Sequence, residues 1–336
     1  MKDASATTMA CGVCVEPGRF RLETRPLPTH APEGWVLVDI AAIGICGTDY
    51  HIFEGKHPYL DYPRVIGHEL SGHVASGPDA GRLVVVNPYL SCGVCRACLR
   101  GKPNCCAAIA VLGVHRDGGM CARVAVPAGN LYPADGLSVH QAAMVEFLAI
   151  GAHAVARSGV GPGDLALVTG AGPIGLGTAL FARLAGAQVH LMDLSDRRLA
   201  LARRLCGFDL LHRPGDDILT GELAQGFDVV FDATGSAPAI EAGFPLVAHG
   251  GSTVLVSVVK GDIRFSDAEF HKREARIIGS RNAQAPDFDR VIAAIRDGLI
   301  PTDALLSEVV PLADLPDRFA ALVDDRDDIV KILVTP

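Results

Sequence analysis

The chain has 336 residues, 49% hydrophobic and 20% charged, with a formal net charge of -8 and ten cysteines. That length exceeds one ordinary core and suits two domains, and the composition excludes a disordered chain. The acidic balance excludes a surface built to coat nucleic acid, which needs a basic face, while leaving room for a small anion in a local basic pocket.

No stretch approaches the roughly 18 apolar residues of a membrane span, and the first residues lack the apolar core of a signal peptide. A cytoplasmic protein without membrane or nucleic-acid partners is therefore expected. In a reducing compartment its cysteines read as metal ligands and core thiols rather than disulfides.

From about residue 19 to 135 the sequence predicts short strands broken by Gly and Pro, among them 35–40 and 82–86, a compact β-rich unit. It contains Cys46-Gly47-Thr48-Asp49-Tyr50-His51 and Gly67-His68-Glu69. Singly, a Cys or a His here is an ordinary core or surface residue. Together they form a mixed sulfur, nitrogen and oxygen donor set that leaves a coordination position open, the condition for a catalytic zinc.

Next comes Cys92-Gly93-Val94-Cys95-Arg96-Ala97-Cys98, followed by Cys105-Cys106. Four of these thiolates can close a tetrahedral shell with no open position, a structural zinc site. Spacing alone allows either Cys105 or Cys106 as the fourth ligand. Cys11, Cys14, Cys121 and Cys206 fall in no ligand pattern and are expected in structural positions.

Near residue 140 the apolar period changes, predicting a helix over 141–156. Beyond Gly163 the chain alternates: strand 165–169, helix 176–185, strand 189–192, helix 197–206, then strands 228–231 and 252–256. Alternation of this kind builds a doubly wound parallel sheet. A helix over about 288–297 and a strand over 329–334 follow, and that last strand is placed back in the first domain.

Gly170-Ala171-Gly172-Pro173-Ile174-Gly175 is a G-x-G-x-x-G between a predicted strand and a predicted helix, with Asp193 18 residues after Gly175. The glycines let the backbone approach a pyrophosphate at a helix N-terminus, and the acid meets the adenosine ribose. A carboxylate there repels a 2′-phosphate and favours NAD over NADP; Arg198 works the other way, since a nearby Arg accommodates that phosphate.

These ordered motifs resemble the zinc-containing medium-chain dehydrogenases, the family of alcohol, threonine and sorbitol dehydrogenases, over nearly the whole chain. The resemblance implies an α/β protein: a β-rich GroES-like catalytic domain over 1–150, completed by about 286–336, and a Rossmann NAD-binding domain over 151–285. It selects Cys106 with Cys92, Cys95 and Cys98 for structural zinc. For catalytic zinc it implies Cys46 and His68, with carboxylate help from Glu69 and Glu146. Thr48 and His51 would form a proton relay, and Val256 and Asn282 would join the glycine loop in holding NAD.

Glu146 stands where the sorbitol and threonine branch has glutamate, and Phe147 departs from the Pro common there. The stretches from Phe53 to Glu69 and from His271 to Ala283 resemble members acting on sugar acids, such as hexonate 5-dehydrogenases. Lys56, His115, Arg116, Lys272 and Arg281 are the candidate cations for a substrate carboxylate. At Arg123 an aromatic residue of relatives is replaced, which alters either the pocket or a surface strand. A threonine- or polyol-type dehydrogenase is the alternative, and a zinc-stabilised nucleotide-binding module without catalysis is the reading from another class. By the same resemblance a homodimer or homotetramer is expected.

Overall fold

The computed structural model describes residues 7–57 and 60–336, so positions 58 and 59 of the sugar-acid-like stretch lie outside the described residues. The chain forms two compact units, Met1–Glu146 with Ile292–Pro336, and Phe147–Val291. Helices Val145–Ser158 and Ala285–Arg296 run across the limits read at 150/151 and 285/286. Residues 147–150 and 286–291 therefore fall with the second unit.

The first unit is built on a seven-stranded sheet whose centre is the long strand Trp35–Ile45. Its inward residues are Val, Leu, Ile and Ala, as a β-rich core of few aromatics requires. Glu69–Val74 lies antiparallel on one side of it, and the chain's last strand, Lys331–Thr335, on the other. The predicted helix 141–156 is broken at Met144 into Val139–Ala143 and Val145–Ser158. Ser138 caps the first piece: its Oγ accepts the Gln141 N–H at 3.2 Å, while Gln141 Oε1 accepts the Ser138 N–H at 2.9 Å.

The second unit is a six-stranded parallel sheet in the order Leu211–His212, Gln188–Met192, Leu165–Thr169, Phe227–Asp232, Val247–Leu255, Arg276–Gly279. The fifth of these begins before residue 252, because its pairing to Phe227–Asp232 starts at Val247 and shifts register before Ser252. The helix after the glycine motif starts at Pro173, not Leu176, with Gly172 as N-cap and the proline in its first turn. Among the described residues no helix is long and apolar enough to cross a membrane.

Cys11, Cys14, Cys121 and Cys206 are all buried thiols, as core cysteines are. In the parallel sheet, His190 Nδ1 and His212 Nε2 share a hydrogen bond at 2.8 Å. One ring must donate and the other accept, so the pair holds only while at least one is neutral. Burial, then the neighbouring His212, pull His190 down from the usual 6.5 to about 4. Burial likewise lowers His212.

A depressed histidine pKa means that the unfolded chain takes up a proton the native state refuses. Its stabilising contribution is complete above about pH 6.5 and lost as pH falls towards 4. Melting at pH 7 and pH 4.5 is expected to show a Tm drop in the wild-type protein that is smaller by a few degrees in His190→Asn, whose amide keeps the donor to His212.

Candidate metal centre and nucleotide site

Cys46 directly follows the long central strand Trp35–Ile45 and is the N-cap residue of helix Gly47–Phe53. Its backbone N–H donates to Asp49 Oδ2 at 2.9 Å, while Asp49 Oδ1 accepts the Gly67 N–H at 3.3 Å. One fully buried carboxylate thus ties the start of the helix to the residue before His68. Asp49 Oδ1 also lies 3.8 Å from His68 Nδ1, a buried nitrogen with no hydrogen-bond partner. Burial raises the Asp49 pKa. Burial alone would lower His68, but the Cys46 sulfur and Asp49 outweigh it and hold the imidazole well above its usual range.

Glu69 follows His68 and is paired across the sheet with Gly44. A Cβ on Gly44 would stand 2.0 Å from Glu69 Oε2, so only glycine leaves room for this carboxylate. Lys331 enters from the last strand and donates from Nζ to both Glu69 oxygens, at 2.8 and 2.7 Å, and to the Ile45 carbonyl at 3.1 Å. Both ends of the pair are buried, at 1% and 0% side-chain exposure. Burial would strip the lysine of its proton, yet Glu69 and Cys46 hold its pKa above the ordinary value.

The ligand atoms of Cys46, His68 and Glu69 all lie within 4.8 Å of one another. Glu146 lies outside that set. It sits in the first turn of Val145–Ser158, where its Oε1 accepts a short hydrogen bond from the buried Tyr89 hydroxyl. Burial and then Glu69 push its carboxyl up to about 7, against the pull of His68, Tyr89 and Lys331. Position 147 is in the same first turn, where an intrahelical acceptor is not required, so Phe and Pro both leave Glu146 in place. Asp49, Glu69 and Glu146 converge here with Lys331 as the balancing lysine, and such a donor set suits a dication. Thr48, half-buried, and His51, exposed, stand three residues apart on the helix that Cys46 begins.

The second cluster is Cys92, Cys95, Cys98 and Cys106, again within 4.8 Å. Cys95 Sγ is 3.5 Å from Cys98 Sγ and 3.9 Å from Cys106 Sγ. A tetrahedral ion with Zn–S bonds of ~2.3 Å would set sulfur–sulfur edges of about 3.8 Å, so the four sulfurs fit one. Backbone N–H groups of Cys92 and Ala108 reach Cys106 Sγ at 3.3 and 3.4 Å. Bonds from the Cys98 and Ala107 backbone pull Cys95 down to about 6. Cys105 is exposed and outside the set.

In the parallel-sheet unit, Gly170 has φ +92°. A Cβ on Gly175 would stand 1.7 Å from the Gly170 carbonyl oxygen, so the turn closes only on glycine. Gly172, Pro173 and Ile174 open the helix Pro173–Leu184. Asp193 Oδ2 accepts the Ala171 N–H at 2.6 Å and its Oδ1 accepts the Ser195 N–H at 2.8 Å. The Arg198 guanidinium lies across the same loop, 3.4 Å from where a Gly172 Cβ would be. Val256 directly follows the strand Val247–Leu255, and Asn282 adopts a left-handed φ of 54°.

Of the candidate cations, Lys56 pairs with Glu54 at 3.0 Å and Lys272 with Glu269 at 3.7 Å. Arg116 stacks over the Trp35 ring, and His115 Nδ1 accepts the Val111 N–H at 3.1 Å. Arg281 is exposed in the parallel-sheet unit. Arg123 donates to Asp39 at 2.7 Å and to the Pro28 carbonyl at 3.3 Å, across two paired strands. Sequence reasoning gave no role to Asp49, Tyr89 or Lys331. A lone lysine inside the apolar run Ile329 to Val334 was the one signal available for the last; nothing local marks Tyr89.

Residues 32–136 match the family model of the alcohol dehydrogenase GroES-like domain and residues 173–297 that of the zinc-binding dehydrogenase. The chain is 40% identical to the L-galactonate-5-dehydrogenase of Escherichia coli K12, over 98% of this chain and 99% of that protein. Among solved structures it is similar to an alcohol dehydrogenase, rspB, of E. coli CFT073 complexed with cofactor NADH. The TM-score is 0.91 and the identity 29%, covering 98% of this chain and 100% of that one. It is also similar to a Sinorhizobium meliloti 1021 protein bound to NADP, with TM-score 0.87, 28% identity, and coverage of 98% and 100%.

Replacing Lys331 by Met keeps the volume and strands the Glu69 charge in the core. The expected loss is about 3–5 kcal/mol, read as a lowered urea midpoint with unchanged m-value. Pairing it with Glu69→Gln should recover a large part of that loss.

Proposed function

The chain belongs to the zinc-binding alcohol dehydrogenase family, and from that premise we propose that it oxidises a secondary alcohol of a sugar acid, at C5 of a hexonate such as L-galactonate or L-gulonate, with NAD as acceptor. The observation that carries the substrate class is the end-to-end similarity to an L-galactonate-5-dehydrogenase. The Cys46, His68 and Glu69 donor set supports the chemistry.

In this reading two zinc ions are held per chain, one by Cys46, His68 and a carboxylate, the other by Cys92, Cys95, Cys98 and Cys106. The first supplies Lewis acidity towards a hydroxyl oxygen, and NAD supplies a hydride acceptor. Asp49 fixes the His68 side of the set and the Cys46 backbone at once, so the two donors keep their spacing. Lys331 occupies both oxygens of Glu69, which leaves Glu146 as the carboxylate with fewer ties. Thr48 and His51 carry the alcohol proton outward, from a half-buried hydroxyl to an exposed imidazole.

In the parallel-sheet unit the Gly170–Gly175 turn takes the pyrophosphate and Asp193 the adenosine ribose. The Asp193 carboxylate disfavours a 2′-phosphate, with Arg198 as the opposing charge. NAD is therefore the preferred acceptor.

NADH formation by the zinc-loaded protein against hexonates, neutral polyols and L-threonine tests the proposal, with NADP in parallel. Turnover confined to a hexonate is expected; turnover on polyols or threonine alone removes the sugar-acid reading. His68→Ala should lower kcat/KM by about three orders of magnitude. Metal analysis should find two zinc ions in the wild-type protein and one in Cys95→Ser, with a lower Tm.

A further inference from the structure

The strand order of the parallel sheet reverses between Leu165–Thr169 and Phe227–Asp232. Open α/β sheets take their ligands at such a point, outside the carboxyl ends of the strands. Asp232 is the last residue of the second strand and is 1% exposed. Its Oδ2 accepts the Thr169 hydroxyl at 3.0 Å and the Thr234 hydroxyl at 2.8 Å. Its Oδ1 accepts the Ser257 hydroxyl at 2.7 Å and the Thr234 N–H at 3.2 Å.

Thr169 immediately precedes Gly170, and Ser257 immediately follows Val256. One carboxylate therefore fastens the ends of three neighbouring strands beneath the glycine turn. Gly170 itself lies against this segment: a Cβ there would stand 3.0 Å from the Ala233 carbonyl.

Among the described residues the donors to Asp232 are neutral hydroxyls and a backbone N–H, with no lysine, arginine or histidine among them. Fastening alone needs no charge. An amide of the same shape would keep the Thr234 N–H bond, and hydroxyls can turn to accept from its nitrogen. The charge has a different use.

With the adenosine half addressed by Asp193 on one side of the reversal, the other half of a dinucleotide lies on the Asp232 side. Its nicotinamide is positively charged when oxidised and neutral when reduced. We infer that Asp232 is a positioning residue for the dinucleotide whose buried carboxylate, held by neutral donors, favours the oxidised coenzyme over the reduced one. The inference rests on the dinucleotide reading of this unit proposed above.

The test uses the full-length, zinc-loaded protein and calorimetric Kd values for NAD+ and NADH, with melting curves to check folding. Asp232→Asn should weaken NAD+ by about tenfold and NADH by less than about threefold. Ser257→Ala removes a fastening bond and keeps the charge, so it should preserve the wild-type ratio of the two constants. Equal losses for both coenzymes in Asp232→Asn, or no loss for NAD+, would overturn the inference. So would a Ser257→Ala ratio that shifts as far as that of Asp232→Asn. Wild-type protein that binds neither coenzyme removes the underlying reading itself, an outcome distinct from equal losses in the variant.

Discussion

The ion pair of Glu69 and Lys331 is the constraint on which the first unit depends. Two charges removed from water are tolerable only when each satisfies the other and the remaining hydrogen-bonding capacity is taken up. Here Lys331 meets both carboxylate oxygens and a backbone carbonyl. The arrangement dictates glycine at position 44, since any larger residue would fall on Glu69. It also fixes the start of the strand that His68 immediately precedes, because Glu69 is the first residue of Glu69–Val74. The position of the sulfur and imidazole donors is thus inherited from a pair that stands beside them.

The two units share one electrostatic problem, acids buried away from water. In the first, buried acids gather around Cys46 and His68: burial raises the Asp49 and Glu146 carboxyls, while the Cys46 sulfur and Asp49 raise the imidazole. In the second, a single acid is surrounded by neutral donors at the ends of parallel strands. Buried charge of this kind is retained where a ligand of opposite sign recovers the desolvation loss. Neither arrangement would be chosen for stability alone.

What the sequence made legible was local. The glycine turn could be read because its steric demands fall within six consecutive residues. The cysteine lobe could be read because its ligands are close in the chain. The alternation of strand and helix gave the parallel sheet, while its boundaries slipped where local chemistry intervened: at Met144, where a capped helix ends and another starts, and at residues 247–252, where a strand changes register. Lys331 was not legible, since its partner is 262 positions away. Tyr89 and Asp232 were hidden for the same reason: a buried hydroxyl or acid announces itself only through the neighbours that folding supplies.

The closure of the first sheet by Lys331–Thr335 sets an order of events in biosynthesis. The parallel-sheet unit is one unbroken segment, Phe147–Val291, and can complete its core as soon as that segment has left the ribosome. The unit carrying Cys46, His68 and Glu69 has to wait, holding an unpaired edge on Trp35–Ile45 and an uncompensated Glu69 until the last strand arrives. A chain without Lys331–Thr335 carries Cys46, His68 and Glu69 but lacks the lysine that meets both Glu69 oxygens and the Ile45 carbonyl.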